Sequence, residues 1–482
     1  MDEIKIGLDF GTHQTKICVQ HIPDEGHGEP KYEFFTFNDL NGKKNYFLPS
    51  VVQLNNDNTL SYGYVDTRKI RQKGPKPQWV EPMIESDFSL VNVVKELYNK
   101  YAQKDNVPED IYILEKMLNV RKNHLKKVEE KKREDAWNQY QAQLKTFEED
   151  VNVFRYFKQA TFIDSAWNMK IPCQTVCVWY LAYVIFLLED KFGTDFSINM
   201  GVPADDKTFH TKKVLALEIL ASAYNLVENV FQNDKEAFLR STLDELNEKT
   251  VFIKYNPQFG EDYFFINIFP EAYASLIGLT SRGKLATGMS LMADVGGGTT
   301  DISFFTIQKG LPVIYKYWSI PRGLNYIAEK SGFDYAEGNF SKLANEEIVE
   351  KYNRKKLEIV NLLIKELIRK ISIETIVSVK DLLRALDNRI LVYSGGGSTY
   401  RFLNTEISSF TDVKVIDASI WREENIEDKH IVSKLCEILT TAYGLSLCKD
   451  DSDVKLMPLS SIFSGLPKKT HKYFNEIDKD VC

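Results

Sequence analysis

Residues 294–301 read Asp-Val-Gly-Gly-Gly-Thr-Thr-Asp and lie between two apolar runs, 289–293 and 302–307. Two strands joined by three glycines constrain the fold strongly, because glycine allows positive φ and leaves the backbone bare. Successive bare N–H groups form a concavity that binds anions, and Asp294 and Asp301 stand at the two ends of this turn. Because Mg²⁺ prefers oxygen ligands and keeps several waters, the segment predicts a site for phosphate and hydrated Mg²⁺. The alternative is a plain hairpin turn.

Two further segments of the chain repeat this arrangement. Residues 4–19 contain a strand, the turn Asp9 to Thr12, and a returning strand. Residues 389–399 run from an apolar strand into three glycines, followed by Ser398, a residue type that caps helices. Each segment is a weak signal alone, but three of them in this order, spread over most of the chain, form a specific combination.

Together these segments resemble the actin/Hsp70/sugar-kinase ATPase superfamily, and within it the nucleotide-binding domain of DnaK-like Hsp70 chaperones. The first is similar to phosphate loop 1, the second to phosphate loop 2, and Gly396–Thr399 to the adenosine loop. Asn199–Ala204, Phe269–Ser275 and Ala442–Gly444 resemble other parts of that domain, so the matches extend from residue 4 to about 447. The resemblance implies an α/β, two-lobed actin-like ATPase fold made of duplicated ribonuclease H-like domains.

The resemblance also implies a domain organisation. We expect an N-terminal lobe at 1–270, a C-terminal lobe at 271–447 and a tail at 448–482. Residues 109–160 look like a helical insertion in the first lobe, since 121–150 is rich in Lys and Glu and contains no Gly or Pro. This insertion is expected to dock a protein partner; the alternative is a charged surface helix without one.

The expected site residues follow from the same resemblance. ATP hydrolysis is phosphoryl transfer to water, to which the protein contributes positioning and charge stabilisation. The expected catalytic residues are Asp9 and Asp294, which hold Mg²⁺ through waters, Asp301, which helps to place the metal or the attacking water, and Glu271, which orients water or relays closure. The residues expected to bind the phosphates are Gly11, Thr12, His13, Thr15, Gly296, Gly297, Gly298 and Thr299, and those expected to bind the adenosine are Gly396, Gly397 and Ser398.

Two departures from the Hsp70 pattern affect the expected activity. His13 stands where the Hsp70 loop has a second threonine, and an imidazole is bulkier and sensitive to pH. No residue is assigned as the catalytic lysine, although Lys73 and Lys76 lie in the expected region and Lys16 adjoins the first loop. These departures predict slow hydrolysis, or a protein that binds ATP mainly as a switch.

Composition narrows the class of protein. A net charge of −7 gives no sign of a general nucleic-acid binder. The longest apolar run, Val176–Leu188, is shorter than the roughly 20 residues of a membrane span, so a buried helix and no membrane contact are expected. The acidic start shows no signal peptide, and the six cysteines lack zinc spacing. A cytoplasmic protein with reduced thiols is expected.

The function expected from these observations is that of an Hsp70-like ATPase, a nucleotide-driven conformational switch acting on a protein partner. The segment after Met457 is too short for a peptide-binding domain, so no peptide clamp is expected. One alternative is an actin-like filament-forming ATPase, which would scatter light when ATP is added. Another is a small-molecule kinase, but no motif for its catalytic base is found.

Overall fold

The computed structural model shows a mixed α/β protein with several sheets, as the sequence predicts. The residues that the structure describes are 3–23, 28–82, 89–101, 109–163, 166–204, 207–254, 265–281, 285, 289–333, 343–374, 391–400, 429–449 and 454–463. Of the tail predicted at 448–482, residues 450–453 and 464–482 therefore lie outside the described residues.

The chain divides into two compact units. The first comprises residues 1–71, 152–167 and 171–482, and the second comprises residues 72–151 and 168–170. The second unit contains helices α1 (Ser89–Tyr101) and α2 (Glu109–Glu149), and the long helix predicted within 121–150 is confirmed as part of α2. Residues 152–160, assigned above to the helical insertion, lie in the first unit, because residues 153–155 pair with a strand of that unit.

The first unit contains all the strands that the structure describes. They are β1 (Glu3–Phe10), β2 (Gln14–Ile22), β3 (Lys31–Phe34), β4 (Phe37–Asn38), β5 (Lys44–Asn45), β6 (Leu48–Pro49), β7 (Val51–Leu54), β8 (Leu60–Tyr62), β9 (Val153–Arg155), β10 (Ser197–Val202), β11 (Ile266–Pro270), β12 (Ser290–Val295), β13 (Thr300–Gln308), β14 (Leu311–Ile320), β15 (Leu391–Ser394) and β16 (Lys455–Leu456). Its helices are α3 (Phe157–Phe162), α4 (Cys173–Phe192), α5 (Phe209–Asn225), α6 (Lys235–Arg240), α7 (Leu243–Lys254), α8 (Glu271–Thr280), α9 (Leu324–Ser331), α10 (Glu346–Glu374) and α11 (Lys429–Leu447). A π-helical turn, Leu226–Val230, continues α5.

Two larger sheets of the first unit share one strand arrangement. In the first, the order is β11-β10-β1-β2-β3, where β1, β2 and β3 are antiparallel and β10 lies parallel to β1. In the second, the order is β15-β12-β13-β14-β16, where β12, β13 and β14 are antiparallel and β15 lies parallel to β12. In both sheets a three-stranded meander is therefore extended by a parallel strand beside its first strand.

The first strands of these meanders are buried on both faces. Residues 6–10 of β1 and all six residues of β12 are buried. Strands covered on both faces read as near-continuous apolar runs rather than as alternating ones, and this explains the runs seen in the sequence.

Helices α8 and α11 cross closely in the first unit. A Cβ atom on Gly444 would overlap the carbonyl oxygen of Ala274, and one on Gly278 would lie 2.8 Å from the carbonyl oxygen of Thr440. The crossing is therefore possible only because both positions are glycine. The buried Asn199 amide of β10 donates to the carbonyl oxygens of Leu445 and Cys448, both at 2.8 Å, and so fixes the end of α11.

Helix α4 is the apolar helix predicted from Val176–Leu188. By length and composition it is the one helix among the described residues that would cross a membrane, but 61% of its apolar window is buried inside the protein. Its core-facing side chains include Trp179 and Tyr180, both fully buried. The expectation of a buried helix is confirmed.

Candidate functional site

Two hairpins with the same register carry the first two predicted loops. In the β1–β2 hairpin, Asp9 lies opposite Lys16 and Phe10 opposite Thr15, which leaves the four residues 11–14 as the turn. In the β12–β13 hairpin, Asp294 lies opposite Asp301 and Val295 opposite Thr300, which leaves the four residues 296–299 as the turn. The aspartate therefore occupies the same position in each hairpin, two residues before the turn.

The two turns contact each other. A Cβ atom on Gly298 would lie 2.6 Å from the hydroxyl oxygen of Thr12, and one on Gly297 would overlap the imidazole ring of His13. The carbonyl oxygens of Gly296 and Gly297 accept hydrogen bonds of 3.1 and 2.8 Å from the first amides of α9. This helix thus fixes the second turn from behind, and glycine is needed where the turns meet.

The turns line one cavity of about 260 Å³. Its other walls come from α3, α8, α11 and the loop after β15. The lining residues are Asp9, Gly11, Thr12, His13, Gln14, Lys16, Phe47, Lys158, Pro203, Glu271, Asp294, Gly296, Gly297, Gly298, Thr299, Asp301, Leu324, Gly395, Gly396, Tyr400, Ile438 and Thr441. Four carboxylates, two lysines and the two hairpin turns therefore line one cavity.

Both lysines in the cavity are paired with carboxylates. Lys16 Nζ lies 2.8 Å from Asp9 Oδ2, across the β1–β2 hairpin. Lys158 Nζ is ion-paired with Glu271 Oε1, and both side chains are largely buried. The Lys158 ammonium also lies 5.6 Å from the ring centroid of Phe10. A buried ion pair is costly to break, because removing one partner leaves an uncompensated charge.

Among the residues that the structure describes, no lysine or arginine forms an ion pair with the other two carboxylates, Asp294 and Asp301. Burial, followed by the charges of Glu271 and Asp9, raises the pKa of Asp294 to about 7, while Lys16 and the Ser275 hydroxyl act in the opposite direction. Burial likewise raises the pKa of Asp301 to about 8, with Glu271 as the next cause. Both carboxyl groups therefore bind protons near neutral pH, and a nearby cation would lower their pKa values and favour the ionised form.

The cavity fits a hydrated cation better than a directly bound one. Within the described residues, no three His, Cys, Asp or Glu side chains converge closely enough to hold a metal ion. Yet Asp301 Oδ1 is buried without a hydrogen-bond partner there, and its other oxygen accepts from Thr299 at 3.2 Å. Mg²⁺ keeps several of its waters in such sites, so Asp9, Asp294 and Asp301 suit water-mediated binding of Mg²⁺ together with phosphate oxygens.

The structure gathers most of the predicted site residues around this cavity, and three lie behind it. Thr15 is fully buried, and its hydroxyl accepts a hydrogen bond of 3.0 Å from Tyr180. Gly397 packs against Val295, where a Cβ atom would overlap its side chain. The Ser398 hydroxyl donates to the carbonyl oxygen of Gly395 at 2.7 Å. Thr15, Gly397 and Ser398 therefore support the turns structurally, whereas Gly396 lines the cavity.

Lys158 and Gln159 are site residues that the sequence reasoning missed. Tyr156 has φ 61°, in the left-handed region, and this turn leads from β9 into α3 and brings Lys158 into the cavity. Gln159 donates to the carbonyl oxygen of Gly298 at 3.5 Å. The available signal was the change in composition after residue 150, where the charged run gives way to Val, Phe and Tyr.

Lys73, a candidate for the missing lysine, lies elsewhere. Its ammonium donates to the carbonyl oxygen of Phe147 at 2.9 Å and lies 4.7 Å from that ring centroid. Both residues belong to the second unit, which is distinct from the unit that holds the cavity.

Comparison of the sequence with models of known protein families yields no match, and comparison with curated proteins yields none either.

Proposed function

We propose that the chain is an Hsp70-like ATP-binding protein and slow ATPase on a two-lobed actin-like fold, acting as a nucleotide-driven switch on a protein partner. The single observation that carries the proposal is the pair of register-matched aspartyl hairpins, whose turns meet at one cavity. The repeated strand order of the two sheets supports the duplicated fold.

The hairpin turns are suited to hold a triphosphate. Gly11, Thr12 and His13 on one side and the turn 296–299 on the other would present backbone N–H groups to the phosphate oxygens, and bare glycine backbone lets these approach closely. The Thr12 and Thr299 hydroxyls, both buried at the cavity wall, add donors. A bound Mg²⁺ would neutralise phosphate charge, with Asp9, Asp294 and Asp301 holding its waters.

Lys158 and Glu271 are suited to the reacting end of the nucleotide. The Lys158 ammonium is fixed by Glu271 and faces the same cavity as both turns, so it is our candidate for the catalytic lysine. A fixed positive charge stabilises charge that develops on the phosphoryl oxygens without reorganising in the reaction. Glu271 and Asp301 are the acceptors available to orient the attacking water.

The nucleoside end would lie against the loop after β15. Gly395 has φ 80°, a left-handed conformation that favours glycine. Gly395, Gly396, Tyr400 and Ile438 line the cavity on this side. Bare backbone and an aromatic ring there suit the flat face of an adenine base.

Titration calorimetry on the folded protein tests the proposal. Mg·ATP and Mg·ADP should each give saturable heat with one site per chain. Omission of Mg²⁺ should weaken binding, since Asp294 and Asp301 would then meet the phosphates without a cation between them. Phosphate release would then measure turnover. Circular dichroism establishes that the sample is folded, and a folded protein that gives no heat with either nucleotide would disprove the proposal.

The role of the second unit as a partner-docking arm has its own test. Arg71 and Asn152 lie side by side, because the Arg71 Nε donates to the Asn152 side chain at 2.9 Å. A short Gly-Ser link between them can therefore replace residues 72–151. The shortened chain should bind ATP with unchanged affinity and lose ATP-dependent co-purification of its partner. A collapse of ATP affinity would instead place the arm in the nucleotide-binding core.

A further inference from the structure

One face of α2 in the second unit is exposed and regularly patterned. Among the residues at helical spacings of three and four, seven form a single line, which we call the outer strip: Glu109, Ile113, Met117, Val120, His124, Lys127 and Lys131. A spacing averaging close to 3.6 places them on one side of the helix. All seven are exposed, including Ile113 at 50%, Met117 at 65% and Val120 at 66%.

The opposite side of α2 is partly buried within the second unit. Its half-buried residues include Leu118, Leu125, Tyr140 and Leu144, and α1 packs against α2 within the second unit. At about 100° per residue, Leu118 and Leu125 point away from the outer strip. The strip is therefore a second apolar face of the same helix, away from Glu115, with which Tyr98 of α1 forms a hydrogen bond.

The order of chemistry along the outer strip identifies what would cover it. The strip begins with an acid, Glu109, continues with three apolar side chains, and ends with His124, Lys127 and Lys131. A second copy of the strip, turned end for end, places its basic end against the acidic end of the first. A surface that matches itself in this way is the requirement for a two-fold symmetric contact.

We propose that the protein forms a two-fold symmetric dimer through antiparallel packing of α2 from two copies along the outer strip. The two-fold axis passes between Met117 and Val120, so that Met117 of each copy packs against Val120 of the other. Glu109 and Lys127 lie on the same flank of the helix, eighteen residues or five turns apart. Each Glu109 therefore faces Lys127 of the other copy, and the dimer contains this ion pair twice.

The polarity of the strip distinguishes this occupant from a lipid surface. If the outer strip entered a bilayer, it would carry the Glu109 carboxylate into it together with Ile113, and a charge in that position is costly. In the antiparallel dimer the same carboxylate meets an ammonium at the solvent-exposed edge. The contact is also closed, because each copy uses its strip once and no filament grows from it.

The oligomeric state of the full chain in solution tests this proposal, which does not rest on nucleotide binding. Sedimentation velocity over a concentration series, without nucleotide, should show a species of twice the chain mass. Met117→Glu should weaken the dimer about a hundredfold or more, because it brings two carboxylates into the apolar centre. Lys126→Gln, at an exposed position on another side of α2, makes the same charge change of one unit off the strip and should leave the dimer intact.

A charge exchange makes the test specific for the antiparallel register. Glu109→Lys alone and Lys127→Glu alone should each weaken the dimer about tenfold, since each sets like charges opposite each other twice. The double variant restores the two ion pairs with reversed sign and should recover the wild-type dissociation constant. Circular dichroism would establish that α2 keeps its helix in each variant.

Three results would overturn the proposal. The first is a wild-type chain that stays monomeric at every concentration, which would leave the strip to a different protein. The second is a dimer that persists with Met117→Glu, which would place the contact elsewhere. The third is a double charge exchange that fails to restore what the single exchanges lose. None of these results depends on whether Mg·ATP binds the first unit, so the two proposals fail independently.

Discussion

The two aspartyl hairpins have the same register and the same turn length, but they differ in the residue opposite the aspartate. Across from Asp9 stands Lys16, whose ammonium lies 2.8 Å from the carboxylate. Across from Asp294 stands a second acid, Asp301, and both of these carboxyls have raised pKa values. In the β1–β2 hairpin the lysine therefore balances the charge of the aspartate, whereas the β12–β13 hairpin brings two carboxyl groups together.

This difference assigns unequal roles to two turns that look equivalent in sequence. The β1–β2 hairpin can bind phosphate with a balanced charge and is stable without a ligand. In the β12–β13 hairpin, burial and the neighbouring carboxylates disfavour the ionised form of both aspartates, and a bound cation would favour it. Binding of a cation with its nucleotide should therefore act mainly through the second hairpin.

Neutralising the two aspartates one at a time is the strongest test of the difference between the two hairpins. Asp294→Asn should lower turnover about 10²–10³-fold, because it removes a carboxylate from a preorganised, buried site. Asp9→Asn should cost about tenfold less, since the released Lys16 can then meet phosphate directly. Phosphate-release assays and calorimetry would measure both. Equal losses would mean that the Lys16 pairing does not set the two hairpins apart.

A control variant keeps the aspartate result interpretable. Asp66 is also buried, but it lies outside the cavity and accepts hydrogen bonds from Arg68. Asp66→Asn should change stability without changing turnover per folded molecule. Losses of turnover in this variant would indicate a general effect of removing a buried carboxylate.

Removing Lys158 tests whether the third wall of the cavity serves both hairpins. Lys158→Met keeps a chain of similar length over Phe10 but strands Glu271, so unfolding free energy should fall by about 3 kcal/mol and turnover about a hundredfold. Chemical denaturation and phosphate release would measure the two effects. Lys235→Met breaks another lysine–carboxylate pair, with Asp190, away from the cavity. It should leave turnover unchanged; an equal loss there would remove Lys158 from the chemistry.

A substitution at the contact between the two turns tests whether their spacing affects nucleotide binding. Gly297→Ala places a methyl group in the His13 ring and should weaken Mg·ATP binding about tenfold, because overpacking forces the turns apart. Gly74→Ala, where the added methyl group meets nothing within 4 Å, is the control. His13→Ala combined with Gly297→Ala should recover the lost affinity. Failure to recover would mean that the methyl group acts through the backbone rather than through His13.

His13→Thr restores the residue of the Hsp70 pattern. It should raise turnover or leave it unchanged, because a hydroxyl still donates to phosphate and the turns keep their spacing. A complete loss of phosphate release would instead give the imidazole a chemical role of its own.

The pH dependence of stability tests the raised pKa values of the second hairpin. The pKa values of Asp294 and Asp301 are raised to about 7 and about 8 in the folded protein, whereas unfolded aspartates titrate near pH 3.9. Between these values the folded state holds more protons, so stability without ligand should fall as pH rises toward about 8. Stabilisation by Mg·ATP should grow over the same range, as measured by thermal unfolding. Asp294→Asn should flatten the fall; an unchanged slope would assign it to other groups.

The glycine pattern was sufficient to locate both hairpins, because few residue types permit a four-residue turn with bare backbone between two buried strands. Asp9, Asp294 and the turn glycines were found for this reason. Thr15 was placed among the phosphate-binding residues, but its hydroxyl faces Tyr180 behind the strand. Successive side chains of a strand point to opposite faces, so a shift of one residue exchanges a cavity-facing side chain for a core-facing one. The sequence does not determine which of the two faces Thr15 takes.

The sequence by itself determined the aspartyl turns, the α/β alternation and the long charged helix, since glycine content, apolar runs and the absence of helix breakers are local properties. Only the tertiary structure decided that Lys158, far from every turn in sequence, enters the cavity and pairs with Glu271. It also decided that Lys16 pairs with Asp9, whereas in the described part of the chain no such pair forms at Asp294. Charge pairing of this kind depends on which distant segments come into contact, and burial increases the free-energy cost of each charge that has no partner.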